Sequence, residues 1–406
     1  MVLLRHYLAK AVRLLRQRKY AALFQKIRGI DLRFLKSFSH ERLHRTIRES
    51  SELVVVLSGA IAGGAKFASQ SRQAEYLAAG ISVCRIGEQP LLGIYIELLE
   101  PIEGACVCGR TAKLPELGEH RHLRIELDSL VGFTDPRLVC DWLKVQIEFG
   151  HNVTVYWHDH YMICPSHFLL SRSDRFCNIP RAEQCASCLP GNMHCINPML
   201  RSENIVEWRE LWSEILNFAV SIEVFSPSSK ELILRAWSPL LSQKVVLRPH
   251  SVEHIQKRRE PVTSRSASVV AVVGQIGLHK GALKVAELSE YIAANNLDLQ
   301  ILIIGTLEVR ASPEVVRETG PYKVELLAKI CKQYEVGAFW FPSIWPETFS
   351  YVIHEIKALG LPILSFDLGA QRDYLEGVAN SCIIDRCSDS EEIYLQIKRL
   401  LADGVQ

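Results

Sequence analysis

Glu347, within the run PSIWPETFS, and Glu355 stand eight residues apart. On a single helix that spacing separates two carboxylates by about 80° of rotation and about 12 Å of rise. Upstream, Gly274-Gln275-Ile276-Gly277-Leu278-His279-Lys280-Gly281 joins a glycine turn to a lysine that can reach a phosphate as a point charge. Pro346 is tolerated as a first helical residue, and Gly360 with Pro362 is a stop signal, so the pattern predicts a helix over 347–359. The N–H groups of Thr348, Phe349 and Ser350 would then form a cradle for a diphosphate at the helix start. Carboxylates beside an anion are favourable only when they face hydroxyls. A nucleotide sugar supplies both partners: phosphates for Lys280 and the N–H groups, hydroxyls for the two glutamates. The glutamate spacing alone reads first as a solvated helix face; the residues around it reverse that reading in favour of the ligand.

Three further sets of residues have chemistry to offer. Gly63 and Gly64 follow the apolar run LVVVL and open a helical pattern, a turn that lets a ligand approach the backbone, although any tight turn needs glycine. His158 ends the run NVTVYW, at the strand end where ligands sit. Cys164, Cys177, Cys185 and Cys188 close on a C-x2-C pair with the spacing of a tetrahedral metal grip. Structural zinc, free thiols and disulfides all fit those four cysteines, with His194 and Cys195 as spare ligands. Nothing in them resembles an open catalytic metal site.

Positioning such loops requires strands that end in turns and feed helices. Apolar runs near 53–57, 81–85, 92–98, 122–127 and 152–157 alternate with helical patterns at 136–149 and 208–220, and further strands follow at 222–225 and 245–247. After the polar stretch 256–268 the plan restarts, with strands at 269–273, 299–304, 339–341 and 363–366 and helices at 324–334 and 391–401. This alternation predicts α/β architecture with doubly wound parallel sheets. A chain of 406 residues exceeds one core, so two domains are expected: 51–255 with a cysteine-rich insertion at 164–195, a linker at 256–268, and 269–406. The composition, 48% hydrophobic and 23% charged, is that of a globular protein. No apolar run reaches membrane-span length and no secretory leader is visible, so a cytoplasmic location is expected and the cysteines are read as reduced.

Residues 1–50 hold thirteen Lys or Arg against three Asp or Glu, and the remainder thirty-four against forty-two. This basic, helically patterned arm fits a surface helix packed on its own domain or a helix drawn to anionic lipid at a membrane face. No nucleic-acid module accompanies it.

The segment PSIWPETFSYVIHE…GLPILSFDLGA resembles the C-terminal signature of glycosyltransferase family 4, the group 1 transferases, and is similar to bacterial transferases of surface-polysaccharide assembly. The likeness extends from about residue 53 onwards. HDHYMICP resembles the family's HDYY-x-CP element, and GQIGLHKG its GR-x4-KG element, with Gln275 where many members carry arginine. The resemblance implies the GT-B arrangement, two Rossmann-like domains facing across a cleft. It also implies transfer of a sugar, a hexose in most relatives, from a nucleotide donor to an acceptor hydroxyl with retention, in O-antigen, capsule or exopolysaccharide synthesis. His158, Lys280 and Glu347 would then serve catalysis. Gly63, Gly64, Gly274, Gln275, Gly277, Lys280, Glu347, Thr348, Phe349, Ser350 and Glu355 would bind donor, with a glycan or lipid-linked acceptor and no catalytic metal. Two other readings share the architecture: a sugar-nucleotide epimerase, whose paired acid and base carboxylates are not identifiable, and a non-catalytic nucleotide-sugar-binding or scaffold subunit, which the missing arginine favours.

Overall fold

The computed structural model describes residues 37–403 except 50–51, 60–62, 90–92, 102–105, 119–122, 238, 257–260 and 263–267. The chain divides into two compact units between Pro249 and His250. That division precedes the expected linker at 256–268, much of which lies outside the described residues, as does most of the basic arm; its helix His40–Glu49 is described. Among the described residues, no helix is long and apolar enough to cross a membrane.

The first unit holds β1 (Leu53–Ser58), β2 (Ser82–Gln89), β3 (Gly93–Leu99), β4 (Cys106–Arg110), β5 (Arg124–Ser129), β6 (Asn152–Tyr156), β7 (Ser221–Val224) and β8 (Val245–Leu247). They form one eight-stranded sheet in the order β4-β3-β2-β1-β5-β6-β7-β8. The β1 residues LVVVLS are buried throughout, as a central parallel strand covered on both faces must be. The sheet is parallel from β2 to β8, but β3 and β4 run antiparallel at the edge. The expected parallel sheet is present, with two antiparallel pairings added at one edge. Only three residues separate Gln89 from Gly93, and a parallel neighbour needs a crossover of about a dozen or more.

The second unit holds β9 (Val269–Ile276), β10 (Gln300–Leu307), β11 (Val316–Glu318), β12 (Ala338–Phe341), β13 (Ile363–Phe366) and β14 (Ser381–Ile384). All pairs are parallel, in the order β11-β10-β9-β12-β13-β14. Alternate residues of β9 serve opposite faces: Val270 and Val272 pack with the helices Ala282–Ala294 and Ser390–Asp403, Ala271 and Val273 with Leu327–Gln333 and Tyr351–Ala358. Helices therefore cover both faces, and the expected doubly wound arrangement is present. In each sheet the strand order reverses beside the first strand, between β1 and β5 and between β9 and β12. Open α/β sheets bind ligands outside the carboxyl ends of the strands at such a reversal.

Candidate functional site

At the reversal point of the second sheet, the loops after β9 and β12 are built against each other. Gly281 adopts φ +80, and a Cβ there would stand 2.0 Å from the carbonyl oxygen of Pro342. Only glycine permits that approach. The Ile344 N–H donates to the carbonyl of His279 at 3.2 Å, and the His279 and Trp345 rings lie 6.1 Å apart. Gly274, at φ +120, and Gly277 lead from β9 into a 3-10 turn, Leu278–Lys280, so Lys280 is presented half-buried at the mouth of the helix Ala282–Ala294. Gln275 is exposed at the end of the strand.

The glutamate stretch differs from the expected helix over 347–359. The helix is Tyr351–Ala358, with Ser350 as N-cap, its Oγ accepting from the Ile353 N–H at 3.4 Å. Thr348, Phe349 and Ser350 therefore precede the helix, and the helical arithmetic for Glu347 and Glu355 does not apply. Helix Gly369–Leu375 imposes this: the Glu347 N–H donates to Gln371 Oε1 at 3.1 Å, and the Glu347 carbonyl accepts from the Ala370 N–H at 2.8 Å. Both peptide groups are thus spent outside any helix of their own. Glu347 is 3% exposed, yet its Oε1 is buried without a hydrogen-bond partner, and so is the Oγ of Ser343. A buried carboxylate oxygen left unsatisfied in a pinned loop is the kind of group a ligand hydroxyl completes.

Glu355 sits within the helix, half-buried. Burial pushes its carboxyl up to about 7, against the pull of Lys280 and with the help of Glu325. The phenol of Tyr322 is raised by burial and then by Glu355, which places it in the same neighbourhood. The charge of Lys280 therefore reaches Glu355.

In the first unit, Gly63 and Gly64 open the helix Gly63–Ala78 and are exposed, Gly63 at φ +56. A Cβ at Gly59, just before, would lie 2.2 Å from the carbonyl oxygen of Val131, which fastens β1 to the end of β5. His158 follows β6, 7% exposed, its ring 4.9 Å from Phe225 and its Nε2 3.6 Å from Asp128 Oδ1. Asp128 is fully buried. Burial works to raise its carboxyl, but Arg72, His158 and Ser69 outweigh that and hold it at about 2. Arg72 reaches Asp128 at 2.5 Å and Glu126 at 2.7 Å, with its guanidinium 3.6 Å from the centre of the Tyr156 ring. Ser69, Arg72, Gln73 and Tyr76 share one face of their helix, and Glu126 and Asp128 one face of β5.

Sequence reasoning missed this network and Gln371. Two acidic residues at a spacing of two inside RIELDS, an otherwise buried strand, were the available signal for the first. For Gln371 there was none.

The cysteine expectation meets a plain finding. Among the described residues, Cys164, Cys177, Cys185 and Cys188 included, no group of three or more His, Cys, Asp or Glu could hold a metal ion. All four are free thiols. Burial lifts Cys164, Cys177 and Cys185, each also raised by neighbouring thiols, and pushes Cys177 up to about 11.

No family model matches the sequence, and no curated protein matches it. Solved structures do. Sucrose-phosphate synthase from Thermosynechococcus elongatus is 15% identical with a TM-score of 0.55, covering 87% of this chain and 90% of that one. HepE from Anabaena, solved in complex with UDP, is 13% identical with a TM-score of 0.52 and the same coverages of 87% and 90%. The apo lipopolysaccharide outer core galactosyltransferase WaaB is 12% identical with a TM-score of 0.50, covering 87% and 91%. The fold is that of GT-B glycosyltransferase structures. The loops after β9 and β12 and the start of helix Gly369–Leu375 lie together at the carboxyl end of the second sheet.

Proposed function

We propose that the chain is a retaining glycosyltransferase of family 4 that moves a hexose from a nucleotide-sugar donor to an acceptor hydroxyl in bacterial surface-polysaccharide assembly. The observation that carries this reading is Glu347: a buried carboxylate with an unpartnered oxygen, pinned at the reversal point of a Rossmann-like sheet. Glu347 accepts from donor-sugar hydroxyls, and Glu355, ionised above about 7, from ribose hydroxyls. As the bond to the anomeric carbon breaks, charge grows on the departing diphosphate, and Lys280 with nearby N–H groups stabilises it. Gly274 and Gly277 let the phosphates approach the backbone, and His158 takes the sugar-facing role that the family resemblance implies. The solved relative HepE holds UDP, which makes a uridine nucleotide the first donor to test.

The basic arm would hold such an enzyme near a lipid-linked acceptor, each engaged Lys or Arg contributing about 1 kcal/mol at an anionic surface. Co-sedimentation with anionic vesicles that fades as salt rises is the expected behaviour, and equal partitioning of a variant lacking residues 1–36 would refute it.

The deciding experiment is a thermal-shift screen of nucleotides and nucleotide sugars, followed by UDP release from the best-bound donor and NMR of the product's anomeric configuration. Binding without UDP release would favour the scaffold subunit, and interconversion of the donor sugar the epimerase.

A further inference from the structure

The loop between β12 and the helix Tyr351–Ala358 has no regular structure of its own, yet it must hold Glu347 in one place. One side chain ties it at three points. Gln371, 0% exposed, accepts the Glu347 N–H on Oε1 at 3.1 Å and donates from Nε2 to the carbonyls of Trp345 at 2.9 Å and Ser343 at 3.5 Å. Directly before it, the Ala370 N–H takes the Glu347 carbonyl, and Gly369, at φ +55, lets the loop sit so close that a Cβ would stand 2.5 Å from Pro346 Cα.

We propose that Gln371 is a positioning residue that fixes the backbone of Glu347, and with it the aim of the Glu347 carboxylate, for the transfer reaction. The inference rests on the transferase reading above. Only an amide offers an acceptor and two donors in one plane. An ionised carboxylate of the same shape keeps the bond to Glu347 but cannot donate to Trp345 or Ser343. An apolar side chain loses all three bonds and leaves the buried peptide groups unsatisfied. Among the described residues, Gln371 bonds to Glu347, Trp345 and Ser343 and not to Lys280 or Glu355, so nucleotide binding is separable from the aim of Glu347.

The test compares the wild type with Gln371→Leu and Gln371→Glu in three measurements. UDP affinity by calorimetry is expected to stay within about twofold. Donor hydrolysis, in which water takes the sugar of UDP-glucose, UDP-galactose or UDP-N-acetylglucosamine and UDP leaves, is expected to fall in kcat by about 100-fold for Leu, since an ångström of misplacement costs that much. The loss for Glu should be smaller, about tenfold, because one of the three bonds survives. A crystal structure of Gln371→Leu should show the Glu347 carboxylate displaced. A folded Gln371→Leu with wild-type kcat, or with Glu347 unmoved, overturns the proposal. If Gln371→Leu does not fold, the same limits apply to Gln371→Glu. A wild type that binds UDP but turns over none of the three donors counts against the transferase reading instead, and the crystal structure still decides the positioning claim.

Discussion

The carboxyl of Glu355 and the ammonium of Lys280 act on each other at the carboxyl edge of the second sheet, where burial lifts Glu355 to about 7 from an ordinary 4.5. On the proposal that Glu355 accepts ribose hydroxyls, binding depends on pH. Affinity for UDP-glucose should tighten between pH 6 and pH 8, by about tenfold if only the ionised form binds. The sign for stability is the reverse. A raised carboxyl disfavours the charged form in the folded state, so its cost is absent below the ordinary 4.5 and grows as pH rises through 7. Glu355→Gln should therefore flatten the binding profile and melt higher than the wild type at pH 8 but not at pH 4. Calorimetry and melting curves at those pH values check both signs.

Gly281 is a structural hinge-pin between two loops, because Pro342 leaves its Cβ position no room. Gly281→Ala combines a left-handed φ with a clash against backbone and should cost about 2–4 kcal/mol. Gly63 has φ +56 and nothing within 4 Å of its Cβ position, so Gly63→Ala should cost only about 1 kcal/mol. Equal midpoints in denaturant for the two variants would remove Gly281 from this role.

These two glycines also show what the sequence makes legible. The strand, glycine turn and helix around Gly281 were readable because each depends on neighbours in the chain. The start of the helix behind Glu347 was not. Pro346 is a good local signal for a helix start, but Ala370 and Gln371 take the peptide groups of Glu347 from more than twenty residues away and hold it outside the helix. Local preference yields to a long-range partner. The Arg72 contacts to Glu126 and Asp128 likewise span more than fifty residues, and nothing in either segment alone points to the other.

Lys280 tests the leaving-group argument. A charge that matters most when the diphosphate departs should affect turnover more than binding. Lys280→Met is expected to lower kcat by about 10²–10³ while UDP affinity falls by less. Steady-state kinetics beside calorimetry separate the two effects. Equal losses in kcat and affinity would make Lys280 a binding residue only.

Arg72 tests the buried network that supports His158. Its guanidinium faces Asp128 and Glu126, which are 1% and 3% exposed, and covers the Tyr156 ring. Arg72→Leu would leave two carboxylates buried without their cation and should cost about 3–5 kcal/mol at pH 7. Asp128 is held at about 2, below its ordinary 3.8, so its contribution is present above 3.8 and lost as pH falls through 2. Without Arg72 the Asp128 carboxyl becomes easier to protonate, and protonation relieves the variant. Its deficit should therefore shrink as pH falls from 7 towards 4, while a deficit caused by lost packing on Tyr156 would stay constant. Urea unfolding of both proteins across that range distinguishes the two. A constant gap would mean that Arg72 acts through its flat side chain.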